Sequence, residues 1–444
     1  MVQLIREPEM QDKAALEALK HGGPAPFPAR LWTWWLEKNL GRPFWDFLSV
    51  SFLFDSGLFI FFLLYNLYLL DLGFREDFLG WTAGAMALGN IAGSLPCGFF
   101  THKFGLRKTL LVCLSVVPAL CAFRSISTSA PWLLALAFLG GAISSLWAVA
   151  EPPAVAQITD EKHRAFGFSV VFAAGIGFGV IAGLVGGYLP EWLSFVPFGA
   201  EPVGGKRAAL LVGCGLAALA LLPASRLRFN PPPAEERRHY PRNRFVFRFF
   251  PALAIFSFAT GAFAPFFNAY FARDLRMSVE RIGAIFAGAQ LVQVVAILMA
   301  PILFRYFGLI PGIMWTQFAC ATCLIWLAAG KGGWNSVVAY SGYTGFQWMS
   351  EPGMYTLLMN RVRHGERAGA SALNLLVISG ARAIAASAAG LAFTRFGYPA
   401  VMVAVGVAIF AAGCVFRALL SGESSDALAQ TQEQRPAATE VRSA

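Results

Sequence analysis

Residues 45–70 read WDFLSVSFLFDSGLFIFFLLYNLYLL, an almost unbroken run of apolar side chains. A bilayer core about 30 Å thick is crossed by about 20 apolar residues in a helix. The run is therefore predicted to be a membrane-spanning helix, although it carries one acidic residue, Asp55, in its interior.

Similar apolar runs recur along the whole chain. Of the 444 residues, 57% are hydrophobic and only 14% are charged, which is too little charge for a water-soluble protein of this size. The sequence predicts an all-α integral membrane protein with twelve transmembrane helices in two pseudo-symmetric six-helix bundles. The predicted spans are 45–70, 79–100, 109–125, 131–157, 166–190, 207–223, 247–271, 281–304, 309–329, 334–359, 369–394 and 398–420.

The basic residues predict the orientation of the chain. If the amino terminus is cytoplasmic, 25 of the 35 Lys and Arg residues fall on the cytoplasmic side of the predicted spans, and nine, Arg124 among them, fall on the opposite side. We therefore expect a multi-pass protein of the plasma (bacterial inner) membrane with both termini in the cytoplasm. A net charge of +10 would suggest nucleic acid in a soluble protein, but here the charge lies in cytoplasmic loops, so no nucleic-acid partner is expected.

The two halves of the chain resemble each other. Residues 65–68 (YNLY) correspond to 267–270 (FNAY), and 147–152 (WAVAEP) correspond to 348–352 (WMSEP), at an offset of about 200 residues. A steady offset that retains an asparagine and a Glu-Pro pair inside apolar runs indicates a duplicated bundle. Transporters built from such repeats move one half against the other around a site near the bilayer midplane.

Composition shifts between the apolar runs predict the domain limits. The proline-broken, Arg-rich segment at the centre is expected to be a cytoplasmic linker that contacts anionic headgroups. Trp and basic residues before the first span favour a helix in the membrane interface. The predicted parts are 1–43, a cytoplasmic segment with this helix; 44–223, the first bundle; 224–246, the linker; 247–420, the second bundle; and 421–444, a disordered tail.

The loop after the second span carries a recognisable signature, GFFTHKFGLRK at residues 98–108. It resembles the G-x-x-x-D-[RK]-x-G-[RK]-[RK] loop of the major facilitator superfamily, but His102 stands in place of the acidic residue and Leu106 in place of a basic one. The resemblance covers residues 45–420 and implies a secondary transporter. It implies further that a cytoplasmic gating loop links the halves through Gly98, Lys103, Gly105, Arg107 and Lys108. The basic residues are equally compatible with a purely topological role.

The fifth span carries glycines spaced four residues apart, at Gly175, Gly179, Gly183 and Gly187. Such a stripe of small residues lets another helix approach closely. Drug antiporters of the superfamily carry a glycine-proline motif in this span, and the proline is missing here, so the match to them is partial.

Four charged residues are predicted to lie deep within their spans, near the bilayer midplane, namely Asp55, Glu151, Glu351 and Arg382. Charges at bilayer depth are costly and mark functional paths. We expect these residues to line a substrate cavity and to couple transport to protons, because burial disfavours a charged carboxylate. Alternatively, Arg382 only neutralises Glu351, Asp55 bonds to backbone at a helix break, and the two glutamates lie at wet helix ends.

Two asparagines lie at matched positions of the repeat, Asn66 beside Tyr65 and Asn268 beside Tyr270. An amide among aromatic rings can orient a small ligand in a cavity, or it can join two helices by hydrogen bonds. Both roles fit the sequence.

These features together favour secondary active transport of a small organic solute by alternating access. Because the expected cavity is acidic and aromatic, export of an amphipathic or cationic compound is favoured over uptake of a polar nutrient or a non-transporting sensor. The sequence has no HExxH motif, no mid-span histidine pair and no phosphate-binding glycine loop. We therefore expect no enzyme activity, no metal and no cofactor. The expected partners are the substrate, protons and lipid, and the expected functional state is a monomer.

Overall fold

A computed structural model describes residues 40–160, 164–194, 202–230, 241–330, 333–362 and 366–420. Within these ranges the chain forms twelve long helices and no strand. Their bounds are Arg42–Asp71 (α1), Glu76–Phe104 (α2), Leu106–Ile126 (α3), Ala130–Ile158 (α4), Arg164–Trp192 (α5), Pro202–Leu219 (α6), Arg244–Arg273 (α7), Val279–Phe307 (α8), Leu309–Ala329 (α9), Trp334–Arg361 (α10), Arg367–Phe396 (α11) and Tyr398–Leu420 (α12).

The two halves share one packing scheme. In the first half α1 packs on α5 and α6, α4 packs on α2 and α3, and α3 contacts α6. In the second half α7 packs on α11 and α12, α10 packs on α8 and α9, and α9 contacts α12. Each contact in one half thus has its counterpart six helices later, as the sequence repeat predicted.

Ten of these helices are long and apolar enough to cross a membrane. The other two, α2 and α10, carry more polar residues, among them Thr82 and Asn90 on α2 and Thr344 and Gln347 on α10. These four side chains face a cavity between the halves, so their polarity is hidden from lipid. The chain is therefore an all-α, multi-pass integral membrane protein.

The helices begin and end close to the predicted limits. The spans predicted at 309–329 and 398–420 coincide with α9 and α12. The largest difference is α6, which begins five residues earlier than predicted because Lys206 forms an ion pair with Asp71 at the end of α1 and so stays within the helix. The interfacial helix predicted within 1–43 and the tail 421–444 lie outside the described residues.

Single glycines make the sharpest turns. Gly105 joins α2 to α3 and Gly308 joins α8 to α9, and both have a positive φ, 81° and 80°. A residue with a Cβ is strained in this conformation. Gly105 and Gly308 lie at equivalent positions of the two halves, so the repeat includes this turn.

The α2–α3 and α8–α9 turns lie at the end of the bundle where α1 begins and α12 ends, which we call the terminal face. The other end is called the opposite face. The halves meet along two helix pairs, α5 with α8 and α2 with α11.

Glycines bring these helix pairs into close contact. A Cβ added at Gly283 of α8 would collide with the Gly183 carbonyl oxygen of α5 and lie 2.7 Å from the Gly187 Cα. At the second contact, a Cβ at Gly80 would lie 2.5 Å from the Ala386 carbonyl oxygen. The close approach predicted from the α5 glycine stripe is confirmed, and its partner is a helix of the other half.

Gly283→Ala is expected to lower the melting temperature of the purified protein by several degrees, because the added methyl group meets backbone that cannot move aside. Gly288→Ala on the same helix is the matched control, since no atom lies within 4 Å of its added Cβ. Thermal unfolding in detergent measures both. Equal melting temperatures for the two variants would contradict this packing.

Candidate functional site

A cavity of about 480 Å³ lies between the two halves. Its walls combine aromatic rings, side-chain amides and two guanidinium groups. The polar and charged lining residues are Asn66, Thr82, Asn90, Arg124, Asn268, Gln290, Gln293, Thr344, Gln347 and Arg382. The aromatic lining residues are Phe59, Phe62, Tyr65, Phe267, Phe286, Tyr340, Tyr343 and Trp348. The arrangement can bind a small molecule through hydrogen bonds and ring contacts.

The two repeat-related asparagines join the halves beside this cavity. Asn66 of α1 donates from Nδ2 to the Pro265 carbonyl oxygen at 2.5 Å and lies 3.3 Å from Asn268 Oδ1. Asn268 of α7 donates to the Leu63 carbonyl oxygen at 2.9 Å. Both asparagines line the cavity as well, so the two roles considered from the sequence coincide at this junction.

A break in α7 makes this junction possible. Residues Ala264–Phe266 form a 3-10 turn between two α-helical segments. The Ala269 N–H donates to Asn268 Oδ1 at 2.9 Å, and the Pro265 carbonyl accepts from Asn66. A helix interruption thus exposes backbone groups that the opposing half can use.

An ion pair joins the halves at the opposite face. Arg273 at the end of α7 donates to Glu76 at the start of α2 with a distance of 2.8 Å, and Tyr398 also donates to Glu76 at 3.4 Å. Burial first, and the Glu76 carboxylate second, raise the pKa of Asp274 above its usual value. Sequence reasoning missed this contact. The sequence signal for it was a pair of opposite charges at two predicted span ends on the same side of the membrane.

Arg382 and Glu351 form an ion pair within the second half. Arg382 Nη2 of α11 lies 3.1 Å from Glu351 Oε1 of α10. Arg382 lines the cavity, whereas Glu351 is not among the lining residues. The neutralisation considered from the sequence is therefore present in the structure.

Asp55 and Glu151 lie together in the first half, away from the cavity wall. They are on α1 and α4, close enough for their charges to interact, and neither is among the lining residues. Asp55 precedes Asn66 by eleven residues, so it lies roughly 16 Å nearer the terminal face. The acidic cavity expected from the sequence thus differs from the observed one, whose charged lining residues are both arginines.

Arg124 was assigned from the sequence to a segment on the non-cytoplasmic side, but the structure buries it at the cavity. It is in the last turn of α3 and is only 3% exposed. Its guanidinium lies 4.1 Å from the centre of the Tyr65 ring. No sequence pattern marks this residue, because its depth depends on how α3 packs against α1.

The remaining predicted site residues are Tyr270 and those of the gating loop, and none whose side chain is described lines the cavity. Tyr270 is buried and donates to the Leu327 carbonyl oxygen at 3.1 Å, away from the cavity lining. In the predicted gating loop, Arg107 donates to the Ser225 carbonyl oxygen of its own half at 2.7 Å, and Lys103 lies 5.5 Å from the centre of the Phe104 ring. Lys108 is exposed, and Gly98 lies near the end of α2.

Part of the chain resembles a known protein family in sequence. Residues 47–247 match the sequence model of the Major Facilitator Superfamily. This match covers the first bundle and the linker, so this part of the chain is similar in sequence to the major facilitator superfamily. No curated protein matches it in sequence.

Solved structures of the superfamily share the fold over most of the chain. The nucleoside transporter NupG is 14% identical with a TM-score of 0.69, covering 86% of this chain and 99% of its own. A bacterial homologue of the human lysosomal transporter Spinster, in an inward-facing and unoccupied conformation, is 13% identical with a TM-score of 0.71 and coverages of 85% and 97%. The xylose transporter XylE from E. coli, in an inward-open conformation, is 13% identical with a TM-score of 0.67 and coverages of 84% and 94%. At these identities the likeness concerns the fold.

Proposed function

We propose that this protein is a secondary active transporter that moves a small organic solute across a membrane by alternating access. The observation that carries the proposal is the cavity between two pseudo-symmetric halves, closed toward the opposite face by side-chain bonds between those halves. A transporter of this type exposes one central site to the two sides in turn. The distribution of basic residues favours a cytoplasmic terminal face. In that orientation, the bonds at the opposite face would close the cavity on the non-cytoplasmic side.

Proton coupling through Asp55 and Glu151 is the second part of the proposal. Two acids in apolar helices repel each other when both are charged, and low polarity around them favours proton uptake. They lie on α1 and α4, helices of the half that carries one wall of the cavity. A solved neighbour of the same fold is a D-xylose–proton symporter, 14% identical with a TM-score of 0.67. The neighbour supports the feasibility of coupling on this fold.

The preference for a cationic substrate depended on acidic residues lining the cavity. No acidic residue is among the described residues that line it, so this preference loses its support. The lining amides and rings support binding of a solute that has both polar and apolar parts. Export and uptake are both compatible with this site.

Distances between spin labels on the two faces test alternating access without a known substrate. One pair, Phe104→Cys and Phe307→Cys, reports on the terminal face, where both residues are exposed and related by the repeat. The second pair, Ser129→Cys and Asn335→Cys, reports on the opposite face. The partly exposed native Cys323 and Cys414 are first replaced by serine.

We expect two populations of molecules. In one, the label distance is long at the terminal face and short at the opposite face, and in the other the two distances are reversed. A change of pH is expected to alter their proportions. The matched control is a label pair within one half, Phe104→Cys and Ser129→Cys, whose distance should stay constant. One fixed distance at both faces under every condition would contradict alternating access and favour a non-transporting protein on this fold.

A further inference from the structure

Arg124 differs from the other described cations that line or close the cavity. Arg382 pairs with Glu351, and Arg273 pairs with Glu76. Among the described residues, Arg124 forms neither an ion pair nor a hydrogen bond to an acidic residue. The net charge on the cavity wall is therefore carried by this one guanidinium.

The surroundings of Arg124 are apolar and aromatic. Its guanidinium lies 4.1 Å from the centre of the Tyr65 ring and 5.4 Å from that of Phe61. Its Nε atom is buried without a hydrogen-bond partner in the described part of the chain, and the buried Tyr65 hydroxyl group lies close to this guanidinium. The Nε–H donor is therefore left unpaired at the cavity wall.

Such an arrangement is costly unless something else binds there. Burying an unpaired charge is strongly destabilising, and contact with an aromatic face offsets only part of that cost. A guanidinium presents N–H donors in a planar fork that matches the oxygens of a carboxylate or phosphate. The missing counter-charge is therefore one that a ligand can supply.

We propose that the cavity binds an organic anion whose carboxylate, phosphate or sulfonate group contacts Arg124. The assignment rests on the proposed transport function and gives its substrate class. The neutral part of the anion would lie against amides such as Asn90 and Gln293, which occupy equivalent positions in the repeat, and against rings such as Phe286. The cavity volume of about 480 Å³ suits a small molecule.

Three probes of one shape and different charge test the anion preference, namely benzoate, benzamide and benzamidine. Ligand binding raises the melting temperature of the purified protein in detergent. We expect a rise with benzoate that exceeds the rise with neutral benzamide, and no rise with cationic benzamidine. Phenylphosphonate and benzenesulfonate are run in parallel, and the largest rise identifies the preferred anionic group.

Variants then locate the anionic group. Arg124→Met is expected to weaken binding of the preferred anion at least tenfold, and Arg124→Lys to restore part of it because the charge returns without the planar fork. The matched control is Arg207→Met. Arg207 also contacts a tyrosine, Tyr68, but is not among the cavity-lining residues. Its anion response should equal that of the wild type.

Three outcomes overturn the proposal. They are an equal or larger response to benzamide or benzamidine, no response to any of the three anions, and unchanged anion binding in Arg124→Met. The charge comparison uses only wild-type protein, so it remains decisive where a variant fails to fold. Spin-label distances that alternate in the absence of anion binding would retain the transport proposal and remove only the anionic substrate.

Discussion

Asp55→Asn and Glu151→Gln are each expected to abolish the pH-dependent shift between the two spin-label populations, and with it pH-gradient-driven transport. The amides keep the size of the side chains but can neither take up nor release a proton. The two acids lie on α1 and α4 and are proposed to act as one pair, so we expect the loss of either carboxyl group to disable the pair. The measurement is the ratio of the two distance populations across a pH series.

Asp46→Asn is the matched control for this prediction. Asp46 lies in the same helix, α1, within its first two turns. Its replacement should leave the pH-dependent shift at the wild-type size. A wild-type pH response in both Asp55→Asn and Glu151→Gln would contradict proton coupling through this pair. The transport proposal itself would survive, because the label distances at the two faces test it separately.

Much of the architecture follows from the sequence because two periodic signals are strong. The lengths of the apolar runs predicted all twelve helices, and the constant offset between equivalent residues predicted the shared packing scheme. The glycines of α5 predicted a close helix contact, and the structure identifies α8 as the partner. These features depend on local composition and on repetition, which a single sequence shows directly.

The cavity was harder to predict, because its lining depends on helix rotation. The sequence placed Asp55 and Glu151 at a suitable depth, but depth does not say which side of a helix faces the cavity. Arg124 looked like a loop charge because it is close to the end of α3, and only the packing of α1 on that turn buries it. Asn66 and Asn268 were found because the repeat singles them out.

The double variant Asn66→Ala/Asn268→Ala is expected to open the opposite face. The two side chains form three contacts that join the halves, to the Pro265 and Leu63 carbonyl oxygens and to each other. At about 1 kcal/mol for each hydrogen bond, their loss disfavours the closed opposite face by about 3 kcal/mol, a roughly 100-fold shift in the population ratio. The opposite-face label pair should report longer distances and the terminal-face pair shorter ones.

Asn90→Ala provides the control for this shift. Asn90 also lines the cavity, but its side-chain oxygen accepts a hydrogen bond from Ser144, a residue of the same half, at 3.1 Å. Its loss therefore removes a polar contact beside the cavity without removing this link between the halves, and the population ratio should stay near that of the wild type. Each single asparagine variant should give part of the shift, because the remaining asparagine still donates to a backbone carbonyl of the other half, Asn66 to Pro265 or Asn268 to Leu63. A double variant with the wild-type ratio would mean that the Arg273–Glu76 ion pair alone closes the opposite face.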